Sequence, residues 1–468
     1  MRVNCKSGNI MSKLIKRFFG RQSFVAGALI ISAGGFISKI LGALYRIPLT
    51  NILGGEGMGI YQMVYPLYCI LLTVSASGIP AGVARLISSG RAEGAERSAF
   101  RLYGAIGVAG AVLMFLLAGP LAAVQREPAV MLCCRMLSPA VLFTSVISVV
   151  RGYFQGRHNM LPTAFTEICE QLLKVLAGVA FALYFRNNMP LAVAFALLAV
   201  TISEGVCALF AVVLYRGEAV RARPLFKERQ AGYSQILRYT LPITFAAIAM
   251  PLSQLVESIV AVNLLRSFSQ EATALYGIFS GCAVTIINLP VSVTYGLAAA
   301  SVPKISPKAA DGDMTGARTE AVRVLLITLA VSAPFAAALF AFAPLAARII
   351  FSSLSDEHSA LLVKLVRIMA INAVTLSLVQ SASACLTALG TPLKSTFTQW
   401  TTCVLRVALT ALFIRYVNYS VEGAAVAANI AYFVAAALNV WYIMRAGGAY
   451  ENNIDRLRRR RGRFEREG

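Results

Sequence analysis

Apolar and polar residues are distributed along this chain in long blocks. About twelve stretches are apolar over some twenty residues each, at 24–45, 60–84, 100–124, 130–150, 162–185, 190–215, 236–263, 274–299, 321–346, 360–388, 395–416 and 422–444. A helix of about twenty residues rises about 30 Å, the thickness of a bilayer's hydrocarbon layer. The pattern therefore predicts an all-α polytopic membrane protein with about twelve transmembrane helices. Hydrophobic residues make up 58% of the chain, above the roughly 45–50% of soluble domains.

The pattern also repeats. A shift of 232 residues lays the fifth span on the eleventh: Phe165 meets Phe397, Thr166 meets Thr398, Glu167 meets Gln399, Leu173 meets Leu405, Lys174 meets Arg406 and Tyr184 meets Tyr416. Spans 2 and 8 echo each other more loosely, each followed by a basic connection. Six spans per half start both halves on the same side, which makes the repeat parallel, about an axis along the membrane normal. The expected organisation is a basic N-terminus (1–23), a six-helix lobe (24–215), a basic linker (216–235), a second six-helix lobe (236–445) and a basic tail (446–468). A central cavity between the two lobes is the expected place for a transported substrate.

Charge orients the chain. With the N-terminus cytosolic, 31 of the 43 Lys and Arg fall in inner segments or at the span ends beside them, 9 in outer segments or at the span ends beside those, and Lys39, Lys174 and Arg406 deeper within spans. That bias places both termini in the cytosol of a multi-pass plasma-membrane protein. It accounts for the net charge of +22 without nucleic acid. Anionic membrane lipids are the expected partners of the basic tail, at about 1 kcal/mol for each basic residue near the surface. A monomer is expected.

Other chemistry is sparse. The nine cysteines form no CxxC pair, and most lie inside apolar spans as packing thiols. His158 and His358 fall in different gaps, so no histidine-based metal centre is expected. No Gly-Lys dipeptide occurs, so there is no Walker A loop. No cofactor is expected, only coupling to protons, sodium or the membrane potential. No cleavable leader is expected before the first span, since residues 1–23 are polar and basic, and Met11 is an alternative start. The glycines at 54, 55, 57 and 59 read as an outer turn.

Charges inside spans cost roughly 2.5–3.5 kcal/mol each on insertion scales, so these residues are the candidates for function. Span 5 carries Glu167, Glu170 and Lys174; Glu170 and Lys174 stand at i,i+4, the favourable order for an ion pair on one helix. Glu204 in span 6 is a possible partner, and Arg406 completes the polar intramembrane set. Glu257, just after Pro251 in span 7, is the candidate coupling carboxylate; a buried, hydrogen-bonded acid is the alternative. In span 1, Gly34-Gly35 reads as an interruption, followed by Lys39 and Arg46. Lys39 either snorkels to the interface or faces the cavity as an anion-binding point.

Three segments carry a family resemblance: Phe36–Leu49 (FISKILGALYRIPL), Gly54–Pro66 (GGEGMGIYQMVYP) and Ser77–Ser88 (SGIPAGVARLIS). They resemble the N-terminal region of the stage V sporulation protein B family. These are polysaccharide biosynthesis proteins within the multidrug/oligosaccharidyl-lipid/polysaccharide (MOP) flippase superfamily. The resemblance implies spans 1 and 7 as gating helices and outward transport of a lipid-linked saccharide of the undecaprenyl-pyrophosphate type, such as a peptidoglycan precursor. It is a transport function, not an enzymatic one. Lys39 and Arg46 would hold the pyrophosphate and Arg85 would stand at the cytosolic mouth. Two departures stand beside it: related lipid II flippases carry an arginine in span 2 and tend to have fourteen spans. A multidrug or cation antiporter of the same superfamily is the alternative.

The charge partition makes one direct prediction. In intact cells, an impermeant thiol reagent should leave a cysteine placed in 216–235 unlabelled and should label Asp356→Cys. The reverse pattern would overturn the orientation.

Overall fold

The computed structural model describes residues 24–88, 95–221, 233–416 and 420–446. The basic N-terminus, most of the basic tail and the middle of the linker lie outside them. Every regular element among the described residues is helical. In chain order these are α1 (Phe24–Leu72), α2 (Ile79–Ser88), α3 (Ala95–Gln125), α4 (Ala129–Gly156), α5 (Leu161–Tyr184), α6 (Met189–Arg221) and α7 (Tyr233–Leu265). They continue with α8 (Ala272–Gly277), α9 (Val284–Ala310), α10 (Met314–Ala341), α11 (Ala343–Ile350), α12 (Asp356–Ala388), α13 (Pro392–Tyr416) and α14 (Glu422–Met444).

Ten runs among the described residues are long and apolar enough to cross a membrane. The first, Leu29–Ser88, is 60 residues long and holds two predicted spans. Helix α5 stands outside the ten because Glu167, Glu170 and Lys174 charge it. All twelve predicted spans fall on helix. Large apolar side chains are left uncovered along them, among them Leu116, Leu176, Val404 and Phe433, as helices facing lipid require.

Three local expectations are corrected. Gly34-Gly35 does not interrupt the first span; the one non-helical residue in α1 is Gly54, at φ 62°. That left-handed conformation is accessible to glycine at little cost. The glycines around it are therefore not a loop: helix continues on both sides of a single kink. The reason is packing. A Cβ on Gly59 would collide with the Thr273 carbonyl, and one on Gly277 with the Gly55 carbonyl, so α1 and α8 touch backbone to backbone. The third correction is at α4, which runs to Gly156 and so includes Arg151, counted above as an inner gap residue.

Spans 2 and 8 each contain a π-helical stretch, Thr73–Ser77 and Ile278–Ala283. Such stretches leave the i→i−4 ladder locally and are frequent where a helix serves function.

Two compact units form. One comprises Met1–Cys282, as far as it is described, with Phe351–Ser355; the other comprises Ala283–Ile350 with Asp356–Gly468. Packing thus divides the chain inside predicted span 8, and α7 and α8 lie with the first unit, against α1. In the first unit, Ile79, Val83, Tyr103, Val149 and Ile236 form one core cluster. In the second, Ile305, Ala321, Leu325, Leu386 and Ile443 form another.

The 232-residue repeat is visible in burial. From Leu172/Val404 to Tyr184/Tyr416, exposed, half-buried and buried positions coincide at every pair. Lys174 and Arg406 are both buried, and Tyr184 and Tyr416 both exposed. Helices α5 and α13 therefore occupy equivalent environments in their own units.

The α1–α8 contact sets a stability test. Gly277→Ala should cost about 1–3 kcal/mol through overpacking and lower the thermal midpoint in detergent. Gly119→Ala, where a Cβ meets nothing within 4 Å, should leave the midpoint unchanged or raise it. Equal midpoints for the two variants would contradict the close approach.

Candidate functional site

The charged residues of α5 are positioned by two neighbouring contacts. Pro162, in the first turn, presets the helical backbone. Along one side, α1 lies close. A Cβ on Gly34 would meet Ala164 at 2.6 Å, one on Gly35 would meet the Glu167 carboxylate at 3.9 Å, and one on Gly42 would meet Gln171 at 3.4 Å. Gly178 accommodates the Tyr45 ring in the same way. Ala164, Gln171 and Gly178 stand seven residues apart on α5, two helical turns, so one face of α5 meets the glycines of α1.

The neighbouring face carries Glu170 and Lys174 toward α4 and α6. Arg151 Nη2 donates to Glu170 Oε2 at 3.1 Å, and its Nε donates to Thr166 Oγ1 at 3.1 Å. Both partners are shielded, with 13% and 16% of their side chains exposed. Glu167 lies within electrostatic range of Arg151 and Glu170. Glu204 projects from α6 with 3% of its surface exposed. Its Oε1 accepts from the Tyr68 hydroxyl at 3.4 Å, while its Oε2 is buried and receives no donor. Lys174, 8% exposed, faces both Glu170 and Glu204.

Arg46 approaches this group from α1, close enough to interact with Lys174, Cys69, Tyr61 and Tyr65. Tyr61 and Tyr65 stack at 5.3 Å between centroids, and Tyr65 and Tyr68 stand 5.7 Å apart. These tyrosines, at i, i+4 and i+7 on one helix, make a polar-tipped aromatic track from Arg46 to Glu204. This cluster thus brings together three cations, three carboxyls and a row of phenols. Its cations offer charge-assisted hydrogen bonds to an anion and its phenols offer stacking surface.

Of the predicted residues, the structure brings together Glu167, Glu170, Lys174, Glu204 and Arg46. The expected Glu170–Lys174 pair is corrected in one respect: the ion pair of Glu170 is with Arg151, whose planar fork reaches it from α4. Arg406 does not join this cluster. It belongs to the second unit, where its Nη1 donates to the Tyr432 hydroxyl at 2.8 Å and its guanidinium lies 5.6 Å from that ring centre. Lys39 is on an exposed part of α1, and Arg85 is exposed near the end of α2. Glu257 is buried in α7, 1% exposed, beside Ser253 and Ser258; Ser258 accepts from Gln125 Nε2 at 3.1 Å. Arg151 and the three tyrosines were missed by sequence reasoning. The helical spacing of the tyrosines was a usable signal, whereas nothing local marks Arg151.

Comparison with known proteins adds the following. The sequence profile of a family described as "Polysaccharide biosynthesis protein" matches residues 24–307. Stage V sporulation protein B of Bacillus subtilis (strain 168) is 28% identical over 303 residues, 61% of this chain and 58% of that protein. Lipid II flippase MurJ of the same organism is 23% identical over 325 residues, 62% of this chain and 59% of that protein. Each match spans less than two thirds of the relative's own length. Among solved structures, the inward-facing form of a multidrug resistance MATE family transporter of the MOP superfamily superimposes with a TM-score of 0.68 at 18% identity. That match covers 95% of this chain and 99% of the other.

The Arg151–Glu170 pair yields a prediction. Glu170→Ala removes the ion-pair partner of a shielded guanidinium and should cost about 3–5 kcal/mol, read as a lowered melting midpoint in detergent. Replacing both partners by apolar residues, Arg151→Met with Glu170→Leu, should recover most of that loss. Additive losses in the double variant would show that the pair does not act as a unit.

Proposed function

Since the chain belongs to the polysaccharide biosynthesis protein family and has a MOP-type transporter fold, we propose that it is an alternating-access flippase. Its cargo is a lipid-linked saccharide of the undecaprenyl-pyrophosphate type, a peptidoglycan or polysaccharide precursor, moved from the inner to the outer leaflet. The observation that carries this reading is the shielded cationic pair Arg46 and Lys174 at the end of a tyrosine track. A pyrophosphate offers several acceptor oxygens for charge-assisted hydrogen bonds, and phenols offer stacking surface and hydroxyls to a sugar. The likeness to a relative named lipid II flippase supports the same substrate class.

In this reading Arg46 and Lys174 hold the phosphates in the interior, Lys39 meets them from the exposed part of α1, and Arg85 assists entry from the cytosol. No nucleotide is needed to drive the step. An interior-negative potential of 100 mV favours outward movement of each negative charge by about 2.3 kcal/mol. Glu257, buried beside serine hydroxyls on a proline-containing helix, is the coupling carboxylate for a proton or sodium ion. Both termini are cytosolic and the basic tail lies on anionic lipid. A multidrug or cation antiporter is the second reading, favoured by the buried carboxyls Glu204 and Glu257.

Flipping of a labelled lipid-linked sugar in reconstituted vesicles tests the proposal. Arg46→Lys should keep only part of the activity, because a point charge replaces a bidentate fork. Charge reversal, Arg46→Glu or Lys39→Glu, should cost far more than neutralisation to Gln, since an acid repels pyrophosphate in a low-dielectric site. Glu257→Gln should preserve folding while removing or shifting the dependence on pH or sodium. Wild-type flipping by both Glu variants would end the anion-site reading. Drug efflux without lipid flipping would establish the antiporter instead.

A further inference from the structure

We propose that the end of the second unit where α10 and α13 begin and α14 finishes binds the headgroup of an anionic phospholipid. The hub is the last turn of α14. The Arg445 guanidinium lies 4.4 Å from the Trp441 ring centre, and the Lys394 ammonium, from the first turn of α13, lies 5.5 Å from that of Tyr442. Arg318 Nη2, from α10, donates to Met444 Sδ at 3.8 Å. Cations from the ends of three helices thus converge on five consecutive residues. Among the described residues, none of the three is paired with a carboxylate. Their partners are two ring faces and a thioether, which place the charges and leave most of their N–H donors for another acceptor.

Elsewhere in the chain an acid closes such an arrangement. Lys308 and Arg323 share Glu320, at 3.2 and 3.4 Å. In the first unit Arg157 also lies over a ring, 5.0 Å from the centre of Tyr153, but Glu218 pairs with it at 3.5 Å. Asp313, close to Arg318 in sequence, is committed to capping α10 at Gly316. The repeat does not call for the cluster either. Helices α5 and α6 begin within a residue of the registers of α13 and α14. Yet Pro162, Leu209, Phe210, Val212 and Val213 stand where Lys394, Trp441, Tyr442, Met444 and Arg445 do in the second unit. A positive-inside bias asks only for basic residues on one side and places no rings beneath them.

The occupant follows from what surrounds the charges. Helices α13 and α14 are both long and apolar enough to cross a membrane, so their ends lie at the depth of the headgroups, where Trp and Tyr sit. Leu393, Trp441 and Met444 are exposed beside the cations, an apolar surface that suits acyl chains and offers nothing to a soluble anion. Tyr442 packs on the second unit's core cluster, and Ile443 is fully buried in it, which holds the turn in place. A phosphodiester accepts charge-assisted hydrogen bonds from Arg445, Arg318 and Lys394. A zwitterionic headgroup brings its own cation among these three and is repelled by them. Cations without an acid therefore select a lipid of net negative charge. This site rests neither on the flippase reading nor on the basic tail.

The chain has two tryptophans, so Trp400→Phe leaves Trp441 as a reporter inside the site. The full-length Trp400→Phe protein is placed in phosphatidylcholine nanodiscs. These contain a minor fraction of either phosphatidylglycerol or phosphatidylcholine with brominated acyl chains, which quench indole fluorescence. Brominated phosphatidylglycerol should quench Trp441 several-fold more strongly than brominated phosphatidylcholine at the same fraction. The preference should disappear when Arg318, Lys394 and Arg445 are all replaced by Gln, and persist when Arg458, Arg459, Arg460 and Arg461 are. Equal quenching by the two lipids overturns the site, as does a preference kept by the first variant or lost by the second. Loss of the preference in excess soluble glycerophosphate would make a soluble anion the ligand and overturn the lipid assignment. If the triple variant does not fold, Arg445→Gln and Lys394→Gln decide singly: each should reduce the preference, and a wild-type preference in both overturns the site. No flipping is measured, so failure of the transport reading leaves this result unchanged.

Discussion

A charge inside hydrocarbon needs a nearby group to compensate it, and the first unit is arranged around that requirement. Arg151 on α4, Glu170 and Lys174 on α5, and Glu204 on α6 come from three helices and meet in one interior. None would be stable facing lipid by itself, since each would cost several kcal/mol. Their mutual compensation fixes the rotation of α5 about its own axis. With the charges turned inward, Leu172, Leu176 and Leu183 are left on the exposed side.

The approach of the helices depends on small residues. Gly34 and Gly42 admit α5 against α1, while Gly59 and Gly277 admit α8 against α1. Lipid tails are as apolar as leucine, so close van der Waals contact replaces hydrophobic burial as the force between spans. The same helix α1 therefore presents Arg46 and the tyrosine track to α5 at one level and anchors α8 at another. A shift of α1 would be felt at both.

Under the proposed flippase reading, a unit built this way suits the movement of a charged headgroup. The cations are held by partners rather than by solvent, so in that reading they keep their positions when cargo leaves. The potential across the membrane acts on the net charge that moves. In the second unit the equivalent position is filled by Arg406 on a tyrosine hydroxyl, so the two halves share a helix environment but not its chemistry.

The spans were legible in the sequence because a twenty-residue apolar block has few alternatives to a membrane helix, and the repeat because Lys174 and Arg406 fall at one register with matching neighbours. The candidate charges were legible as well, since an ionisable residue within a span is conspicuous. Tertiary structure decided how they meet. Arg151 reads as a loop charge until α4 is seen to run on to Gly156, where its long side chain reaches Glu170. Gly34-Gly35 reads as a break until α5 is seen packed upon it, and the run around Gly54 reads as a loop until α8 holds the helix together. Glu204 stood in the sequence only as one possible partner of Lys174: that the two meet follows from the packing of α5 on α6, and side chains on separate helices are juxtaposed only when the helices commit their faces to each other.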